Sequence, residues 1–77
     1  MQNLPKIETV EQAREVLLRM DEQQEIVATS DEGEISIKKH GDHEFSVAFV
    51  DQETGIISLR DASHILLEHG DHELNFA

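Results

Sequence analysis

An α+β fold, a helix on either side of an antiparallel meander, is predicted by three observations. Apolar residues recur at helical spacing near both ends of the chain. Through the middle they alternate with polar residues at a spacing of two. Turn residues, including Gly33, Gly41 and Gly55, separate the middle runs. At 77 residues the chain has room for one domain around one core.

Residues 1–8 read as a lead-in, with Pro5 ahead of the first helix signal. Thr9-Val10-Glu11-Gln12 matches a capping box: the Thr9 hydroxyl accepts a helical N–H while Gln12 reaches back. Val10, Ala13, Leu17 and Met20, widened by Val16, then predict a helix over 10–22. Glu11, Glu15, Arg19 and Glu22 take its opposite face, where Glu15 and Arg19 form a favourable i,i+4 pair.

The period then shortens to two, and residues 25–59 read as the meander. Ile26-Val27-Ala28 makes a first strand, and Asp31-Glu32-Gly33 a turn. Residues 34–38 alternate cleanly around Ile35 and Ile37, as a half-buried strand does. His40-Gly41-Asp42-His43 reads as a tight turn with Gly41 at its first central position. Phe45, Val47 and Phe49 face one way, Ser46, Ala48 and Val50 the other. A longer loop follows over 51–55, with Gly55 placed for a positive φ, and residues 56–59 give a fourth short strand.

A second helix is predicted over 61–69, capped by Asp61 or Ser58 and stopped by Gly70 as a left-handed residue. Residues 72–76 form a short last strand or a packed tail. Both helices are expected on one sheet face, which buries both apolar stripes. The expected core is Val10, Ala13, Leu17, Met20, Ile26, Ile35, Ile37, Phe45, Val47, Phe49, Ile57, Leu59, Ile65 and Leu66. Ser36, Lys38, Ser46, Ala48, Val50, Ile56 and Ser58 would show on the outer face. Small and partly apolar, that face is a candidate dimer patch, and scattered surface apolar residues are the alternative.

Composition excludes several classes of function. With no Cys, there is no disulfide, Cys-ligated metal or thiol chemistry. No apolar run approaches the ~18 residues of a membrane span, and no signal-peptide pattern opens the chain. The expected setting is a cytoplasmic one. Ser63, His64 and Asp61 are close in sequence, but consecutive helical residues point apart, so they are no triad. No glycine-rich phosphate loop, HExxH or EF-hand pattern occurs. The expectation is a non-enzymatic protein without a cofactor.

One segment is duplicated: His40-Gly41-Asp42-His43-Glu44 recurs as His69-Gly70-Asp71-His72-Glu73, and four of the five histidines lie inside it. His40 and His43 would face each other across a hairpin and could pinch a metal ion with Asp42 or Glu44. Plain turn chemistry explains the same residues. The two copies are expected at opposite sheet ends, roughly 20–23 Å apart for seven strand residues, beyond the reach of one ion.

Seventeen Asp and Glu against six Lys and Arg give a formal net charge of −11. Phosphate contacts need basic side chains, so direct nucleic-acid binding is not expected. A basic partner is. Glu11 and Glu15 stand ~6 Å apart along the first helix. Asp31, Glu32, Glu34, Asp51 and Glu53 belong to turns at one sheet end, where Glu68, Asp71 and Glu73 should also arrive. Such a pole steers a cationic protein electrostatically. The reading is a small acidic interaction protein, an inhibitor or nucleic-acid mimic that occupies the basic groove of a nucleic-acid-binding partner. Phage-encoded DNA mimics and anti-CRISPR inhibitors share this size, charge and α+β character, a similarity of general character that no motif carries. The alternatives are an acidic regulatory or structural domain that forms a homodimer through the outer sheet face, and a weak metal-binding protein using His40 and His43.

Overall fold

The computed structural model describes residues 4–77; residues 1–3 of the expected lead-in lie outside the described residues. The elements are α1 (Val10–Arg19), β1 (Glu25–Ser30), β2 (Gly33–Gly41), β3 (Glu44–Ala48), β4 (Ile57–Ser58), α2 (Leu59–Glu68) and β5 (Glu73–Phe76). The strands form one antiparallel sheet in the order β4-β3-β2-β1-β5. The meander is therefore extended by β5, which returns after α2 to pair with β1. This is the α+β architecture expected, with residues 72–76 resolved in favour of a strand. No described helix is long and apolar enough to cross a membrane.

Register explains which side chains are inside. Ile26 pairs with Ile37 and Phe76, Ala28 with Ile35 and Leu74, and Val47 with Ile37. All point to the inner face, over which Ala13 and Leu17 of α1 and Ala62 and Leu66 of α2 close the core. The expected core needs four corrections. Val10, the first helical residue, is exposed, and Phe49, Ile57 and Ile65 are only partly buried. Ile7, Ala28 and Leu74 complete the core instead, together with Ala62, which the second helix turns inward as its spacing predicts. Ile7 reaches it because its N–H donates to the Gly70 carbonyl at 3.0 Å, drawing the lead-in across the end of α2.

The first helix starts as its capping box dictates: the Gln12 N–H donates to the Thr9 hydroxyl at 3.1 Å, and the Thr9 N–H donates to Gln12 Oε1 at 3.2 Å. It stops at Arg19, three residues short of the expected end, because of Lys39. That side chain is 3 % exposed and faces inward next to Phe45. Its ammonium donates to the carbonyls of Leu17, Leu18 and Met20 at 2.9, 3.0 and 2.8 Å. The carbonyls at a helix end carry partial negative charge and are short of partners; the three donors of one ammonium reach three of them, the Leu17 carbonyl also accepting the Met20 N–H at 3.4 Å. The Phe45 ring lies 5.9 Å from the same nitrogen, within cation–π range. The expectation that β2 ends at Lys38 is thus corrected. The strand runs on through Gly41, and Lys39 holds the inward position after Ile35 and Ile37.

Two turns differ from expectation. The β2–β3 turn residues are Asp42 and His43, since Gly41 pairs with Glu44 and a bulge at His40 shifts the register. The strand β3 ends at Ala48, so Val50 and Ile56 stand in the following loop rather than on the sheet face, 73 % and 58 % exposed. That loop folds on itself through bonds from Phe49 N to Gln52 O (2.6 Å) and Thr54 N to Val47 O (2.8 Å). Ser58, not Asp61, caps α2, accepting from the Asp61 N–H at 3.1 Å.

Glycine roles also shift. Gly33 alone among the glycines has a positive φ (125°), so Gly55 and Gly70 are not left-handed as expected. Gly70 is required for closeness: a Cβ there would collide with the carbonyl of Ile7. Gly70→Ala is expected to lower stability by about 1–3 kcal/mol through this overpacking. Gly55→Ala, which meets nothing within 4 Å, is expected to raise it by up to about 1 kcal/mol. Urea unfolding of the two variants checks both signs. Lys39→Met keeps the stem and removes the donors, and should cost about 1–3 kcal/mol, read as a lowered urea midpoint.

Candidate functional site

The carboxylates of separate connections converge at one end of the sheet. Strands β1 and β2 are joined through Asp31 and Glu32, where the Glu32 N–H donates to the Ser30 hydroxyl at 3.2 Å. A Cβ on Gly33 would come within 2.8 Å of a Val50 methyl, so this turn lies against the loop after β3. That loop contributes Asp51. The end of α2 contributes Glu68, followed by His69 and His72. Glu32, Asp51, Glu68, His69 and His72 line one open concavity of about 430 Å³, with Ile35, Phe49 and Val50 on its apolar side.

Three features make this end negative. Among the described residues no Lys or Arg lies within 4.0 Å of a carboxylate, and the one ion-pair contact, His72 Nε2 to Asp71 Oδ1 at 3.8 Å, is with an imidazole. The last turn of α2 holds no basic side chain, so its carbonyl end adds a partial negative charge. Finally, Glu34 and Glu73 flank Thr29 from the two neighbouring strands, which carries the acidic surface onto the outer sheet face. The His69 ring is fixed at the rim: its Nδ1 donates to the Ile65 carbonyl at 2.9 Å, and its centroid lies 5.0 Å from that of His72. A carbonyl can only accept, so Nδ1 is the donor in this bond.

The remaining expected residues are distributed differently. Asp31 and Asp71 are exposed in the turns that flank the concavity. Glu53 bridges to Ala48 and lines an outer-face groove with Lys38 and His40, away from Asp51. Glu15 lines a groove with Lys6 and Arg19, while Glu11 is exposed on α1. Neither residue lines the concavity.

The duplicated segment adopts two unlike structures. In the first copy, His40 sits at the bulge with Nε2 2.7 Å from the Ser46 hydroxyl, and His43 lines a groove beside Arg14 and Arg60. The two rings do not flank the turn symmetrically, as a two-residue turn at Gly41-Asp42 would have required. In the second copy, His69 closes α2 and meets His72. Among the described residues no group of three or more His, Asp or Glu is arranged to hold a metal ion. The Ser63 hydroxyl is buried and donates to the Leu59 carbonyl at 2.7 Å, apart from the exposed His64.

The outer sheet face presents Ser36, Lys38, Ser46 and Ala48, none of them fully buried. Glu25, Glu34, Glu44 and Glu73 share that face by register. No protein-family model matches the chain, and no curated protein or solved structure shows significant similarity to it.

Like charges brought together without a counter-charge destabilise the compact state. The triple variant Glu32→Gln, Asp51→Asn, Glu68→Gln is therefore expected to melt higher than the parent at low ionic strength. The difference should shrink towards ~1 M salt, where the screening length falls to ~3 Å. Thermal unfolding at the two salt concentrations checks this.

Proposed function

We propose that this chain is a small non-enzymatic interaction protein whose acidic pole binds a basic partner. The observation that supports this most directly is the meeting of Glu32 and Asp51, from two loops, and Glu68, from the end of α2, around one concavity without a Lys or Arg contact among the described residues. Two hydrogen-bonded loops and a helix end hold the carboxylates, so little ordering entropy is lost when a cationic surface docks. The apolar wall beside them, with Val50 largely exposed, gives a partner a contact that salt does not screen.

Carboxylates fixed on a rigid rim stand in for backbone phosphates, and a nucleic-acid-binding protein is the partner class whose groove is built to receive them. Inhibition by occupying such a groove is the mechanism we favour. The His residues beside the carboxylates would contribute hydrogen bonding and shape.

The test compares equal losses of charge at two places, with a lysine oligomer as the cationic probe. Neutralising the pole (E32Q, D51N, E68Q) is expected to weaken binding about tenfold or more, as loss of several contacts worth about 0.5 kcal/mol each implies. Neutralising the first-helix region (E8Q, E11Q, E15Q) should weaken it by less than about threefold. Equal losses from the two triples would show that overall charge alone drives binding and would remove the basis for a localised site.

A further inference from the structure

At the end opposite the acidic pole, exposed Glu11, Asp42, Glu44 and Asp61 surround a groove whose own lining is basic and apolar. This groove is lined by Val10 and Arg14 of α1, His43 of the β2–β3 turn, and Leu59, Arg60 and His64 of α2, with no carboxylate in its lining. It gathers two of the chain's three arginines. Arg14, His43, Arg60 and His64 are all exposed. Neither arginine lies within 4.0 Å of a carboxylate among the described residues. Val10 is 38 % exposed beside them, so the groove combines guanidinium groups with an apolar floor. The matching shape is an apolar side chain next to a carboxylate, and the chain itself displays one: Val50, 73 % exposed, followed by exposed Asp51.

We infer that the Arg14–Arg60 groove receives the Val50-Asp51 loop of a second copy of this chain. Val50 covers Val10 and Leu59, and the Asp51 carboxylate takes a guanidinium fork, the geometry arginine suits best. Glu32 and Glu68 flank Asp51 at the pole and arrive beside the histidines. Arg60 lies in the first turn of α2 and Glu68 ends it, so donor and acceptor surfaces lie at opposite ends and the contact is head-to-tail. Such an interface propagates along a row of copies unless the rotation closes it into a ring.

Net charge opposes association, and its range decides the outcome. At ~0.15 M salt the screening length is ~8 Å, well below the 30 Å length of the molecule. Whole-molecule repulsion is then damped, while pairs in contact are not. Association should be strongest near ~0.15 M salt and weaker at both ~0.01 M and ~1 M.

Sedimentation velocity over about a hundredfold range of concentration tests the inference, with two variants altered at exposed positions. R14E/R60E loses the groove and keeps the pole. V50S/D51N loses the loop and keeps the groove. Each alone should sediment as a monomer with an unchanged far-ultraviolet dichroism spectrum, and an equimolar mixture should recover a 1:1 pair. A monomeric parent at every concentration overturns the proposal, as does self-association that persists in R14E/R60E or a mixture that stays monomeric. The lysine oligomer separates this outcome from the proposed function: R14E/R60E must still bind it, because its acidic pole is intact.

Discussion

The ammonium of Lys39 is the contact on which the arrangement of layers depends. It sits under the end of α1 and is held by three carbonyls and the face of Phe45. Burying a charge is costly unless its donors are satisfied, and here all three are matched by backbone carbonyls, of which that of Leu17 also accepts the Met20 N–H at 3.4 Å. Because the lysine belongs to β2 and the carbonyls to α1, the bond fixes where the helix ends and which face of the sheet it covers. The tight path from α1 to β1 follows. Gln23 adopts a positive φ of 71° and its N–H donates to the Lys39 carbonyl at 2.8 Å, while the Lys39 N–H donates to the Gln24 carbonyl at 3.0 Å.

This internal use of a cation also shapes the surface. One of the six basic side chains is removed from solvent, and the others do not approach the carboxylates at the far end of the sheet. The segregation follows from topology. Alternate turns of a meander fall on one side, and α2 runs from the β4 end back toward them. The acids of both turns and of the helix end therefore share a neighbourhood, while the start of α2 brings Arg60 beside Arg14.

Much of this was legible from residue order. Spacing of two and of 3.6 located the elements, Thr9 and Gln12 marked the start of α1, and turn parity placed Glu32, Asp51 and Glu68 together. Other features depended on tertiary contacts. The alternation Ile35, Ile37, Lys39 pointed the lysine inward, but charge argued for the surface, and only the carbonyls of α1 reverse that preference. A bulge at His40 moved the turn by one residue, which local composition does not encode. Glu53 left the pole because its loop folds back to pair with Ala48. Gly70 looked like a helix stop, whereas the space it leaves is filled by Ile7, more than sixty positions earlier in the chain.

The path of the lead-in has a consequence for the margins of the sheet. Leu4 donates to the Leu74 carbonyl at 2.9 Å and Ile7 to that of Gly70, so the segment runs alongside β5. The opposite margin is β4, two residues long. Among the described residues both margins of the sheet are therefore short, one of them tied to the lead-in, and long ladders of free amides and carbonyls are the usual templates for fibrous aggregation. Short margins and mutual repulsion of like charges both work against edge-to-edge stacking of copies.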